Sequence, residues 1–125
     1  MQLTKNFSLS EFQCKSGAAV PDDLLPKIKK LAESLQALRD DIGLPIKINS
    51  GYRSPEHNAK IGGVKNSQHT KGTAADIAVV GLSPRETRKK LEILIKSGKM
   101  LQGGIGAYST FTHYDIRGYK ARWRG

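Results

Sequence analysis

Histidine is scarce in this chain, with three among 125 residues, and two of the three sit in patterns suited to metal chemistry. In Ser67-Gln68-His69-Thr70-Lys71-Gly72-Thr73-Ala74-Ala75-Asp76, a histidine at a loop end stands seven residues before a carboxylate. Asp76 lies between Ala75 and Ile77, and a carboxylate among apolar neighbours is costly to bury unless it is paired or bound to a cation. Gly72 lets the loop fold back and bring His69 toward Asp76. In the second pattern, Phe111-Thr112-His113-Tyr114-Asp115-Ile116-Arg117, strand alternation puts His113, Asp115 and Arg117 on one face. Tyr114 and Ile116 then turn to the other face, into the core.

Two histidines and a carboxylate make a three-ligand zinc site, His69, Asp76 and His113, with the fourth position left for water. Zinc brings that water's pKa toward neutrality and polarises a carbonyl, the two things peptide hydrolysis needs. Asp115 has two roles open to it: the base that takes the water's proton, or a carboxylate that orients a ligand histidine. Each pattern alone also fits a plainer arrangement. Asp76 could bond to backbone amides with His69 in solvent, and the His113 strand could turn a wet face outward. A third stretch, Asn49-Ser50-Gly51-Tyr52-Arg53-Ser54-Pro55, holds Arg53 in a turn. An arginine there is suited to binding a carboxylate bidentately or to stabilising an anionic tetrahedral species, the alternative being a surface side chain. Tyr108 either lines the same cleft or packs in the core, and His57 is expected to face solvent.

These residues need elements to position them. Ile28, Leu31, Leu35, Leu38 and Ile42 recur at steps of three and four, one face of a helix that Gly43 stops, with Pro26 in its first turn. Leu44-Pro45-Ile46-Lys47-Ile48 alternates as a strand. Ser54-Pro55-Glu56 begins a short helical piece ended by Gly62-Gly63, and Val64 to Gly72 reads as loop. Ala74 to Val80 reads as a buried strand. Ser83-Pro84-Arg85-Glu86 supplies a cap, a first-turn proline and a reciprocal glutamate for a helix reaching Gly98. Gly104 to Tyr108 and Phe111 to Arg117 read as two paired strands. Ser8 and Glu11 have capping-box spacing, and the tail from Gly118 is basic, with Trp123 packed back on the body. The expectation is α+β: helices on a small, mainly antiparallel sheet, residues 1–125 forming one domain.

Composition narrows the class. Hydrophobic content of 38% with 26% charged residues is that of a globular chain. No apolar run reaches the length of a membrane span, and the first residues lack the pattern of a signal peptide. The net charge of +10 points to a polyanionic partner. The cations are scattered and no nucleic-acid motif accompanies them, so attraction to anionic wall polymer or membrane surface ranks above specific nucleic-acid binding. The single cysteine, Cys14, rules out an internal disulfide and reads as a small buried residue.

Taken together, Ser67-x-His69-x-x-Gly72-x-Ala74-x-Asp76, Ser50-Gly51-Tyr52-Arg53-Ser54 and Phe111-x-His113-x-Asp115-x-Arg117 resemble the D-alanyl-D-alanine carboxypeptidase family of zinc peptidases. The likeness is strongest to its small single-domain branch in bacteria and phages, and it covers nearly the whole chain. It implies a hedgehog-like fold and zinc on His69, Asp76 and His113. It also implies cleavage of peptidoglycan stem or cross-bridge peptides, by a carboxypeptidase or an endopeptidase of endolysin type. Arg53 matches the family arginine that holds substrate or oxyanion, and Ser67 lines the same loop. Better-known members carry an acidic base three residues before the last ligand histidine; here that position is Thr110, and Asp115 is the nearest substitute. The expected protein is a monomer, made in the cytoplasm without a signal peptide and acting at the wall after release, as in a phage or prophage. The competing expectation is a non-catalytic basic module for wall binding or phage structure.

Overall fold

A computed structural model describes residues 1–125, and its backbone follows the sequence signals closely. Helix α1 spans Leu25–Ile42, with Pro26 in its first turn, and ends at Gly43. Gly43 adopts the left-handed conformation (φ 65°) and its N–H bonds back to the Arg39 carbonyl, a geometry that glycine enters without strain. Ile28, Leu31, Leu35 and Leu38 are buried along one stripe. Helix α2 is short, Pro55–Lys60, and the Ser54 hydroxyl accepts from the His57 N–H at its start. Helix α3, Pro84–Lys96, opens on a complete capping box: Ser83 Oγ accepts from Glu86 N–H at 3.1 Å, and Glu86 Oε1 accepts from Ser83 N–H at 3.0 Å. No helix is long and apolar enough to cross a membrane.

The sheet has five strands: β1 Ile46–Ser50, β2 Ala74–Val79, β3 Gly104–Ala107, β4 Thr112–Asp115 and β5 Ala121–Arg124. Their order is β1-β2-β4-β3-β5, antiparallel except for the parallel pair β3–β5. The α+β expectation therefore holds. One correction concerns the tail: it does not only pack Trp123 on the body but adds an edge strand in register with β3. The stretch expected as loop, Val64 to Gly72, contains a 3-10 turn at Gln68–Lys71 that begins on the Ser67 side chain.

Helices α1 and α3 cover one face of the sheet, where Ala75, Ile77, Ile105 and Tyr114 join a single cluster of buried residues. Tyr114 anchors α1 to β4: its hydroxyl pairs with Ser34 Oγ at 2.6 Å and donates to the Leu101 carbonyl at 2.7 Å. Burial and the nearby Asp115 charge push its pKa up to about 12, so the hydroxyl stays a donor. The other face, carrying Asp76, His113 and Asp115, is left to a cleft.

Candidate metal centre

Strand register assembles the site. Asp76 on β2 stands directly opposite His113 on β4, so their side chains leave the sheet on the same face. His69 arrives from the 3-10 turn, whose Gly72 takes a left-handed conformation (φ 73°) and folds the loop back into β2. A register shift between Ile48 and Ser50 in β1 brings Ser50 opposite Asp76, on the cleft side, although Ile46 and Ile48 face the core. All three candidate ligands are buried, and one donor atom from each lies within 4.8 Å of the others. These atoms are His69 Nε2 and His113 Nδ1, at 3.3 and 3.2 Å from Asp76 Oδ1. The plainer arrangements, with His69 in solvent or His113 on a wet face, are not what the chain adopts.

The far nitrogens decide which atoms carry protons. His69 Nδ1 is 2.8 Å from the Gly51 carbonyl, which can only accept, so Nδ1 holds a proton and, in the neutral ring, Nε2 is the lone-pair atom. His113 Nε2 is 2.7 Å from Asp115 Oδ2, a carboxylate that also only accepts, so in the neutral ring Nδ1 is the lone-pair atom. With both rings neutral, three acceptors converge on one point, an arrangement that repels itself until a proton or a metal cation enters. Nitrogen, nitrogen and carboxylate oxygen, three protein ligands with an open side, are a donor set that suits zinc. The electrostatics show the same demand for positive charge, which protons shared between the rings and Asp76 meet in part. Burial would raise the Asp76 carboxyl, yet bonds to His113 and His69 and their charge hold it below the usual carboxylate range. Burial would lower His113, but the two flanking carboxylates, Asp115 and Asp76, raise it.

Asp115 lies behind the His113 ring, not in the cleft. It is fully buried, and its oxygens accept five N–H groups. Oδ1 takes Gly104 N (2.9 Å), Arg117 N (3.1 Å) and Arg117 Nε (2.9 Å); Oδ2 takes His113 Nε2 and Arg117 Nη2, both at 2.7 Å. Burial would raise this carboxyl as well, but His113, Arg117 and the two backbone amides hold it low. A carboxylate so engaged and so placed has no lone pair to offer a water in the cleft. Of its two expected roles, the orienting partner of a ligand histidine is the one this geometry fits better than a base in the cleft. The position three residues before His113, Thr110, is exposed, and the only carboxylate lining the cleft is Asp76.

Arg53 is aimed by three bonds: Nε to Ser50 Oγ (3.2 Å), Nη1 to Asn58 Oδ1 (3.3 Å) and Nη2 to Asp76 Oδ2 (3.2 Å). It thereby occupies the second Asp76 oxygen and leaves Oδ1 to the convergence point. Against known proteins, the peptidase M15 family model matches residues 5–115. That match runs through every candidate ligand. The chain belongs to the peptidase M15 family. It is 36% identical over 78 residues to the peptidoglycan L,D-endopeptidase MepK of Escherichia coli (strain K12), an alignment covering 57% of this chain and 40% of that protein. It is 48% identical over 44 residues to the zinc D-Ala-D-Ala carboxypeptidase of Streptomyces albus G, covering 34% of this chain and 17% of that one. The M15 chain thus spans less than half the length of the relatives it matches.

The remaining expected site residues of this M15 chain fall where the cleft is. Ser67 and Tyr108 both line it, in a cavity of about 610 Å³. The Ser67 hydroxyl is engaged, accepting from His69 N–H at 3.2 Å, so it also fixes the turn that presents a ligand. Tyr108 stacks on Phe111 (centroids 4.5 Å, 9° apart) and accepts from Trp123 Nε1 at 3.1 Å. His57, half-buried on α2, does not line it. Arg117 lines the cleft from the face that alternation assigned it beside His113 and Asp115, and Gly104, Gly106 and Trp123, which the sequence did not mark, join it around the site. A Cβ on Gly104 would collide with Asp115 and Arg117, and one on Gly106 would sit 2.7 Å from the Trp123 ring. The indole in turn lies 4.9 Å from His113, centroid to centroid, and the Arg117 guanidinium 5.3 Å from the indole. The signal was present in the G-x-G spacing of β3, which clears one strand face, and in the His113-x-Asp115-x-Arg117 alternation.

Proposed function

We propose that this chain is a zinc peptidase that hydrolyses peptide bonds of peptidoglycan, acting at the cell wall. The observation that carries the reading is the convergence of three candidate ligand atoms from His69, Asp76 and His113 at the floor of an open cleft. Zinc bound there supplies a Lewis acid and an acidified water at neutral pH. The protein's own groups do the rest. Gly51 and Asp115 keep the protons on the far nitrogens of His69 and His113, so both rings stay oriented as ligands. Arg53, pinned at the cleft wall, is placed to hold a substrate carboxylate or the negative charge that develops on the scissile carbonyl. Trp123, Tyr108 and Phe111 form an apolar wall along which the peptide lies and from which water is excluded. Peptidoglycan as the substrate is supported by the name of one relative, a peptidoglycan L,D-endopeptidase, and by the D-Ala-D-Ala named for the other, and the +10 charge favours approach to an anionic wall.

The cleft's lack of a free carboxylate favours a second reading, a basic wall-binding module that retains the metal geometry without turnover. One experiment separates the two. The purified chain is assayed for zinc, then incubated with defined muropeptides with and without chelator, and product masses are read. The peptidase reading expects one zinc per chain and chelator-sensitive products, their mass revealing loss of a terminal D-alanine or opening of a cross-bridge. His113→Ala should lose the zinc and at least about 10³-fold in rate, in keeping with the several kcal/mol that a metal supplies. Stoichiometric zinc with no products, together with wall pelleting that survives His113→Ala, establishes the binding module instead.

A further inference from the structure

On the helix-covered side of the sheet, at its β5 edge, α3 and β5 enclose a second groove of about 460 Å³. Its cations come from two elements with matched periodicity. Arg85, Arg88 and Lys89 recur at helical spacing along one stripe of α3, with Glu92 a turn further on. Arg122 and Arg124 alternate on β5, opposite Ile105 and Ala107 of β3, which form the floor. Five cations thus face one carboxylate. Glu92 is fully committed to Arg122, its two oxygens each 2.8 Å from that guanidinium, which also donates to the Gly103 carbonyl. Arg85, Arg88, Lys89 and Arg124 have no ion-pair partner anywhere in the chain. A concavity that gathers four unpaired cations is destabilised by their mutual repulsion and relieved by a polyanion.

We propose that this groove binds a phosphodiester polymer of the teichoic-acid type, one that repeats a single phosphate charge along a flexible chain. The proposal rests on the peptidoglycan reading above for its biological setting, since such polymers are carried by the same wall. One feature favours this occupant over single-stranded nucleic acid: the groove presents no succession of aromatic platforms on which bases stack, Trp123 being the one aromatic at its rim. The free cations are three arginines with a lysine, donors whose forks match the phosphate oxygens of such a chain. Trp123 lines both this groove and the metal cleft, so a polymer seated here holds the enzyme with its cleft against the same wall strand.

The test measures binding of fluorescent poly(glycerol phosphate) to the full chain at several salt concentrations, beside cleavage of teichoic-free muropeptides. A groove variant carries Arg88→Gln, Lys89→Gln and Arg124→Gln. A charge-matched control carries Lys27→Gln, Lys29→Gln and Lys30→Gln on the exposed side of α1. The proposal expects the groove variant to bind about tenfold or more weakly and with a shallower salt dependence. The control should lose less than about twofold, with muropeptide cleavage unchanged in both. Equal losses in the two variants overturn it, because the attraction is then net charge alone. Tighter retention of a DNA oligonucleotide than of the polymer, through the same three residues, overturns it in favour of nucleic acid. If no variant nor the parent cleaves muropeptides, the peptidase reading fails while the binding comparison still decides the groove.

Discussion

Strand β4 contributes to both regions of the molecule within four residues. Thr112 and Tyr114 face α1 and α3, in the core, while His113 and, behind its ring, Asp115 lie on the cleft side of the sheet. The two faces are equally buried but built on different logic. On the core face, Ile28, Leu31, Leu35, Leu38, Ile77 and Leu91 touch many neighbours, none of them indispensable in direction. Dispersion and apolar burial are non-directional, so each side chain's loss is felt as a volume. On the cleft face each polar atom has a named partner: Gly51 for one nitrogen, Asp115 for another, Arg53 for one carboxylate oxygen. Loss of one partner there changes which atom carries a proton, and a small change in energy becomes a change in chemistry. The core therefore sets how stable the chain is, and the cleft sets what it can bind.

The sharpest way to separate the faces is to damage the core alone. Leu35→Ala removes a side chain with no exposure from the middle of the α1 stripe and should cost about 2–5 kcal/mol in a denaturant titration. Zinc affinity, measured at a temperature where the variant stays folded, should remain within about twofold, because no ligand's partner touches that position. If zinc affinity collapses with stability, the two faces are one cooperative unit and core and cleft are not separable.

Damage to the cleft face should invert that result. Asp115→Asn keeps the volume but places an amide where five N–H groups expect acceptors. Whichever way the amide turns, its NH₂ opposes either the Gly104 and Arg117 donors or the His113 and Arg117 donors. Facing His113, it drives the ring proton to Nδ1, the atom needed for metal. Zinc affinity by chelator competition should fall about 10- to 100-fold, or roughly 1.4–2.7 kcal/mol. An unchanged affinity removes Asp115 from the account of the site.

The same contrast explains what could be read from the sequence. Helix α1 was legible because its stripe and its stop at Gly43 are local, and the α3 cap likewise. The ligand set was legible because two scarce histidines and a carboxylate flanked by Ala75 and Ile77 each violate ordinary solvent-facing expectations. What escaped depends on partners far away in the chain. Alternation showed that His113 and Asp115 share a face, but only the sheet register shows that Gly104 clears room for the carboxylate and donates to it. Ala121-Arg122-Trp123-Arg124 has the charge of a loose tail, and it becomes a strand only because β3, about seventeen residues earlier, offers a parallel edge. The shift between Ile48 and Ser50 that turns Ser50 toward Arg53 breaks the alternation on which strand reading depends.

The smallest change tests the glycine-cleared side of the cleft. Gly106 stands between His113 on β4 and Trp123 on β5, and its φ lies outside the left-handed region, so alanine fits the backbone. The new methyl would sit 2.7 Å from Trp123 Cε2 and Nε1, closer than such atoms tolerate, and the indole must tilt away. It then loses its bond to the Tyr108 hydroxyl and its packing on His113. Gly106→Ala should therefore shift the emission of the chain's one tryptophan and lower kcat/KM on muropeptides by about 3- to 10-fold, on the order of 1 kcal/mol. Zinc affinity should fall less than in Asp115→Asn, since the bond that fixes the His113 tautomer is untouched. A kinetic loss with full zinc content would make the Trp123 wall part of substrate positioning. An unshifted emission spectrum with unchanged kinetics would show that this wall rearranges freely, and that the directed bonding of the cleft face stops at the ligand shell.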